Sequence, residues 1–115
     1  MGLIEVSQRQ GRVPVTVFHV QDRINLGNYK ELEQAAQEAY EGGMRNLVID
    51  LTKSESLTSI GIRSIVAIHK ILAAGNGGAL KLAGVTQPIQ DMLQIAGITQ
   101  FIEIHDTVDE AVASY

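Results

Sequence analysis

Hydroxyl-bearing residues crowd one short stretch of this chain. In SESLTSIGIRS, residues 54–64, they are Ser54, Ser56, Thr58 and Ser59, and the chain then turns abruptly apolar as IGIRSIVAIHKIL. The stretch follows the apolar run NLVIDL, so it lies where a buried strand hands over to a helix. A single hydroxyl at such a junction caps the helix, a role worth ~1 kcal/mol. A helix N-terminus also presents free N–H groups and the positive end of its dipole, which suit a phosphate. Phosphoserine adds about −1.5 to −2 charges and three acceptor oxygens. Ser59, which lies with Thr58 at or beside the cap, is therefore a candidate modification site as well as a candidate cap. Arg63, four residues beyond Ser59 on the same helical stripe, could pair with a phosphate or with a partner's carboxylate. On an exposed rim, that change of charge would switch a protein interface. Ser54 and Ser56 read as ordinary residues that solvate the loop.

Other chemistries find less support. The glycine-rich turn GNGG, residues 75–78, runs from helix into strand, whereas a phosphate loop runs from strand into helix. It reads as a helix C-cap and turn. His19, His69 and His105 lack the i, i+4 pairing of a helical zinc site, so each is expected to be packed or solvated and no metal is expected. Around Ser59 the sequence L-T-S-I-G lacks the first glycine of a G-x-S-x-G elbow. A Ser–His–Asp arrangement assembled in space is recognised by geometry rather than order, and the sequence leaves it open. Catalytic motifs are otherwise absent, and the expectation is a protein that is not an enzyme and carries no cofactor.

The bulk numbers bound the rest. The chain has 115 residues, 45% hydrophobic and 19% charged, which suits one globular domain over residues 1–115. A net charge of −4, with nine scattered basic residues, argues against nucleic acid. With no cysteine there is no disulfide framework and no thiol nucleophile. The start MGLIEVSQRQ lacks the basic and long apolar regions of a signal peptide, and no apolar run approaches ~18 residues. A cytoplasmic domain without membrane insertion is expected.

These residues must be positioned by regular elements. LIEVSQ and VPVTVFHV read as strands joined by the short QGR, which makes an antiparallel hairpin. Val13, Val15 and Val17 share one face, and Pro14 argues for an edge position or a bulge. NYKELEQAAQEAYEGG reads as a helix begun by Asn28 and Glu31 and stopped at Gly42–Gly43, with Leu32, Ala35, Ala36 and Ala39 inward. NLVIDL is a strand covered on both faces, IGIRSIVAIHKILAAG a helix ending at Gly75, and ALKLAGV a strand. TQPIQDMLQIAG is a helix with Thr86 as cap and Ile89, Met92, Leu93 and Ala96 inward. FIEI is a short strand, and DTVDEAVASY a last helix capped by Asp106 or Thr107. The predicted order β-β-α-β-α-β-α-β-α defines a single α/β domain with a mixed, mostly parallel sheet.

With that order, LVIDLTKSESLTSIGIRSIVAIHKIL resembles the STAS domains, and specifically the bacterial anti-sigma factor antagonists. The family pattern is an apolar strand ending in aspartate, a short loop, and D-S-S/T-G opening an apolar helix. Asp50 lies in the strand here. Ser59 falls on the serine that the family phosphorylates, Gly61 on the motif glycine, and Leu57 on an apolar position. GALKLAGVTQPIQDMLQIAGITQFIEIHDTVDEAV matches the closing elements, and the resemblance spans nearly all 115 residues. Thr58 stands where the family has aspartate and Ile60 where it has a second small hydroxyl residue, as in an atypical branch.

The resemblance implies a non-catalytic, partner-switching regulator of transcription in bacterial stress signalling. Its partners would be an anti-sigma factor serine kinase and a phosphatase. The kinase would dock on a rim of Ser56, Leu57, Ile60, Gly61 and Arg63. Phosphorylation of Ser59, with Thr58 as a second acceptor, would block docking. Oligomeric state is left open, a homodimer included. The competing reading is a STAS-like cytoplasmic subunit or ligand-binding module of a lipid or anion transport system.

Overall fold

The computed structural model describes residues 2–54, 57–75 and 78–115. Its elements are β1 (Ile4–Gln10), β2 (Pro14–Val20), α1 (Tyr29–Glu41), β3 (Asn46–Asp50), α2 (Ser59–Ala73), β4 (Ala79–Ala83), α3 (Gln87–Ile95), a 3-10 turn (Ile98–Gln100), β5 (Glu103–His105) and α4 (Val108–Ala113). The five strands form one sheet in the order β1-β2-β3-β4-β5. The opening hairpin is antiparallel, pairing Ser7 with Val17 and Glu5 with His19. The later pairs are parallel, with His19 beside Asp50 and Asp50 beside Ala83.

Alternation along the strands divides the core in two. Phe18, Leu47, Ile49, Leu51 and Leu82 pack with Leu32 and Ala36 of α1, Ile65, Ile68 and Leu72 of α2, and Ile89 and Leu93 of α3. On the other face Val15, Val17, Val48 and Ala83 meet Ala111 and Val112 of α4. That short helix covers only part of its face and leaves the polar ends of β2 and β3 open. Beside it the buried Lys81 ammonium donates to the Ser114 carbonyl (3.1 Å) and hydroxyl (2.7 Å). The Tyr115 hydroxyl lies 2.7 Å from both the Leu47 and the Ala79 carbonyl and shares its one proton between them. Burial pushes this phenol well above its ordinary pKa.

Several local expectations need correction. Pro14 is neither on an edge nor at a bulge: it opens β2, an inner strand, and the ladder to β3 starts only at Thr16. A proline at the first residue of a strand forfeits no bond to that neighbour. Val13, meanwhile, falls in the exposed turn outside the strand. Met92 and Ala96 do not face inward, because α3 lies at the side of the sheet and buries only the stripe of Ile89 and Leu93. Met92 is 40% exposed, and Ile95 beside it more so. The start signal of α1 works differently from a capping box. Asn28 is the N-cap but bonds the Asn25 N–H (2.8 Å) and the Arg23 carbonyl (2.9 Å), and Glu31 accepts from the Leu3 N–H (2.7 Å). Thr107, not Asp106, caps α4.

Candidate functional site

The handover from β3 to α2 is built by stitching two loops together. After Asp50 the chain turns, with the Ser54 N–H donating to the Leu51 carbonyl at 2.9 Å. Ser54 is fully buried, and its hydroxyl donates to the Asp22 carbonyl at 2.9 Å. It is therefore a structural tie and does not solvate the loop: a hydroxyl buried here satisfies a carbonyl that would otherwise lose its water. Ser56 lies outside the described residues. Leu57 is 3% exposed and joins the core beneath the helix start.

Thr58 is the N-cap of α2. Its hydroxyl accepts from the Gly61 N–H (3.1 Å) and donates to the Ile24 carbonyl (2.8 Å). The second bond is one that an ionised aspartate could not make, since a carboxylate only accepts. Threonine at this position thus holds the helix start to the loop after β2. Thr58→Ala is expected to lower stability by about 1–2 kcal/mol through loss of the cap and of that tie. Thr58→Asp, which restores only the acceptor, should recover part of it. Urea unfolding of the three proteins measures both effects.

Ser59 occupies the first helical position, exposed, and its hydroxyl bonds no other described residue. Ile60 and Arg63 line a cleft of about 270 Å³ with Tyr29, Glu33 and Ala67. Arg63 is exposed, one turn beyond Ser59, and no described carboxylate pairs with it. The structure therefore brings Ser59, Ile60 and Arg63 to one surface rim. Leu57 and Gly61 are buried and sit beneath it, so they seat the rim and are not contact residues. A Cβ on Gly61 would meet Leu57 Cδ1 at 2.6 Å and Ile24 Cβ at 3.3 Å, so a larger residue there would have to displace the buried Leu57 side chain. One turn on, buried Ser64 donates to Glu33 (2.8 Å) and ties α2 to α1.

A second polar cluster, on the open part of the α4 face, has no counterpart among the sequence motifs. His19 Nδ1 lies 2.8 Å from Asp50 Oδ2, and His19 Nε2 lies 2.9 Å from Ser7 Oγ. Burial pushes the Asp50 carboxyl up, but the hydrogen bonds from the Thr52 side chain and backbone and from His19 outweigh it and hold the pKa below its ordinary value. Of the other histidines, His69 packs on Phe101 at 4.9 Å and His105 lies 3.1 Å from Glu103. Among the described residues no cluster of three His, Cys, Asp or Glu side chains could hold a metal ion, and no helix is long and apolar enough to cross a membrane.

A five-stranded mixed sheet with three helices on one face and a short one on the other, carrying a serine at the start of the second helix, defines a class of small α/β domain. The chain belongs to the STAS domain family, whose profile matches residues 5–111. An anti-sigma factor antagonist from Thermotoga maritima superposes with a TM-score of 0.87 at 19% identity, over 96% of this chain and 92% of that one. An anti-sigma factor antagonist from Mycobacterium paratuberculosis superposes with a TM-score of 0.84 at 23% identity, over 96% and 91%. A sulfate transporter family protein from Wolinella succinogenes shares the fold with a TM-score of 0.76 at 14% identity, over 87% and 83%. No curated protein matches the chain.

Proposed function

We propose that this protein is an anti-sigma factor antagonist: it docks a serine-kinase anti-sigma factor on the rim of Ser59, Ile60 and Arg63, and phosphorylation of Ser59 releases that partner. The observation that carries the reading is the contrast between adjacent hydroxyls. Thr58 spends its hydroxyl on two internal bonds, whereas Ser59 is exposed and bonded to nothing described. Ser59 is therefore the acceptor, and Thr58 is its structural support. A phosphate on Ser59 lies at the positive end of a 15-residue helix with Arg63 within one turn. It adds about −1.5 to −2 charges to a rim whose named charged group is Arg63, reversing its sign without disturbing the fold. A phosphatase resets the switch, and the protein acts in the cytoplasm as a regulator of transcription, with no catalysis at the docking rim.

The sulfate transporter relative favours one other reading, in which the same rim docks a transport protein. Titration calorimetry of the purified chain against a serine-kinase anti-sigma factor from the same genome separates the two. Saturable binding with release of the sigma factor is expected. No binding to such a kinase contradicts the proposal and favours the transport reading.

A further inference from the structure

We propose that Ser7, His19 and Asp50 form a nucleophilic serine centre, able to accept an acyl group from an activated ester. The centre is separate from the Ser59 rim and does not rest on the switch reading.

The sheet itself assembles the three residues. They lie on adjacent strands β1, β2 and β3, with side chains on one face, because Glu5 pairs with His19, His19 with Asp50, and Ser7 is two residues along from Glu5. Neighbouring strands are ~4.8 Å apart, so the outer two are separated by about twice that distance, and an imidazole lying across the middle strand bridges them. The observed contacts, 2.9 Å to Ser7 Oγ and 2.8 Å to Asp50 Oδ2, are those of such a bridge.

The polarity of the chain of bonds is set by Asp50. Its Oδ1 accepts from both the N–H (3.0 Å) and the hydroxyl of Thr52, which hold the carboxylate ionised and fixed in direction. A carboxylate cannot donate, so Nδ1 of the neutral ring carries the proton and Nε2 turns a lone pair toward the Ser7 hydroxyl. That is the tautomer a general base needs. The site is also partly shielded: the His19 and Asp50 side chains are 30% and 15% exposed, and Ser7 is half-buried.

A cleft of about 210 Å³ opens beside the ring, lined by Glu5, His19, Gln21, Asp50 and Lys53 among others, with Ser7 outside its lining. No pair of backbone N–H groups in the hydrogen-bond network of the described residues is assembled there as an oxyanion hole. The centre should therefore be slow by roughly the 100- to 1,000-fold that such a donor contributes.

In the step, Ser7 Oγ attacks the ester carbonyl carbon while its proton passes to His19 Nε2. The tetrahedral adduct collapses, the carbon–oxygen bond to the leaving group breaks, and the departing alkoxide or phenolate takes that proton. Water, deprotonated by the same imidazole, then releases the carboxylic acid and restores Ser7.

The test is incubation of the intact protein with p-nitrophenyl acetate, followed by intact mass and peptide mapping, with release of p-nitrophenolate followed in parallel. One acetyl group (~42 Da) on Ser7 is expected. Ser7→Ala, on an edge strand where the change is tolerated, should abolish it, and His19→Gln should slow acylation by at least ~100-fold. Melting curves of both variants establish that they are folded. Acetylation confined to lysines or the N-terminal amine, or phenolate release unchanged in Ser7→Ala, would overturn the proposal.

Discussion

Ser59→Asp is expected to weaken binding of the anti-sigma partner at least ~100-fold, a loss of about 2.7 kcal/mol, while Ser59→Ala binds within a few-fold of the unmodified protein. The magnitude follows from where the charge falls. Ser59 is exposed at the first position of α2, between the half-buried Ile60 and the Thr58 cap, so a partner covering Ile60 and Arg63 also covers Ser59. Enclosing a carboxylate in such an interface without a partner costs several kcal/mol, whereas removing an unbonded hydroxyl costs little. The same substitution should leave the fold intact or raise its stability by a few tenths of a kcal/mol, because an anion at a helix N-terminus is favoured there. Calorimetric titration beside a melting curve therefore separates lost docking from lost structure. Equal affinity of the two variants for the kinase means that Ser59 is no switch.

The largest effect on stability is expected at Ile65. It is fully buried, six residues into α2, and anchors the rim-bearing helix to Leu47, Ile49 and the rest of the main core. Ile65→Ala should cost about 3 kcal/mol, combining lost transfer free energy with an unfilled cavity. For a domain of this size that lowers the melting temperature by roughly 10–15 °C. Differential scanning calorimetry measures it directly. A shift of under about 3 °C would mean that the helix can settle into the space, and that its position over the sheet is softer than the buried contacts indicate.

Element order was legible because each element has a strong local signature. The alternation in β2, the double-sided apolar run of β3 and the stripe of Leu32 and Ala36 each state a period, and the observed elements follow them. What escaped depended on distant neighbours. Met92 satisfies the helical stripe, but α3 has too little sheet beneath it to cover that position. Ser54 looks like any polar loop residue until the loop carrying Asp22 is folded over it. A hydroxyl cap was legible at this junction, yet the bond of Thr58 to Ile24, 34 residues away, is what distinguishes it from aspartate. The Ser7–His19–Asp50 cluster was hidden for the same reason. Alternation puts His19 on the face of Val15 and Val17, but only strand register puts it beside Asp50, and register is a property of pairing.

The central claim is that Ser59 carries a regulatory phosphate. It is tested most directly by intact mass and site mapping of the protein isolated from its own cells, with phosphatases inhibited, under growth and under stress. A fraction heavier by one phosphate (~80 Da), mapped to Ser59 and changing between the two conditions, is expected. An unmodified mass under both, or phosphate found only at other residues, would contradict it.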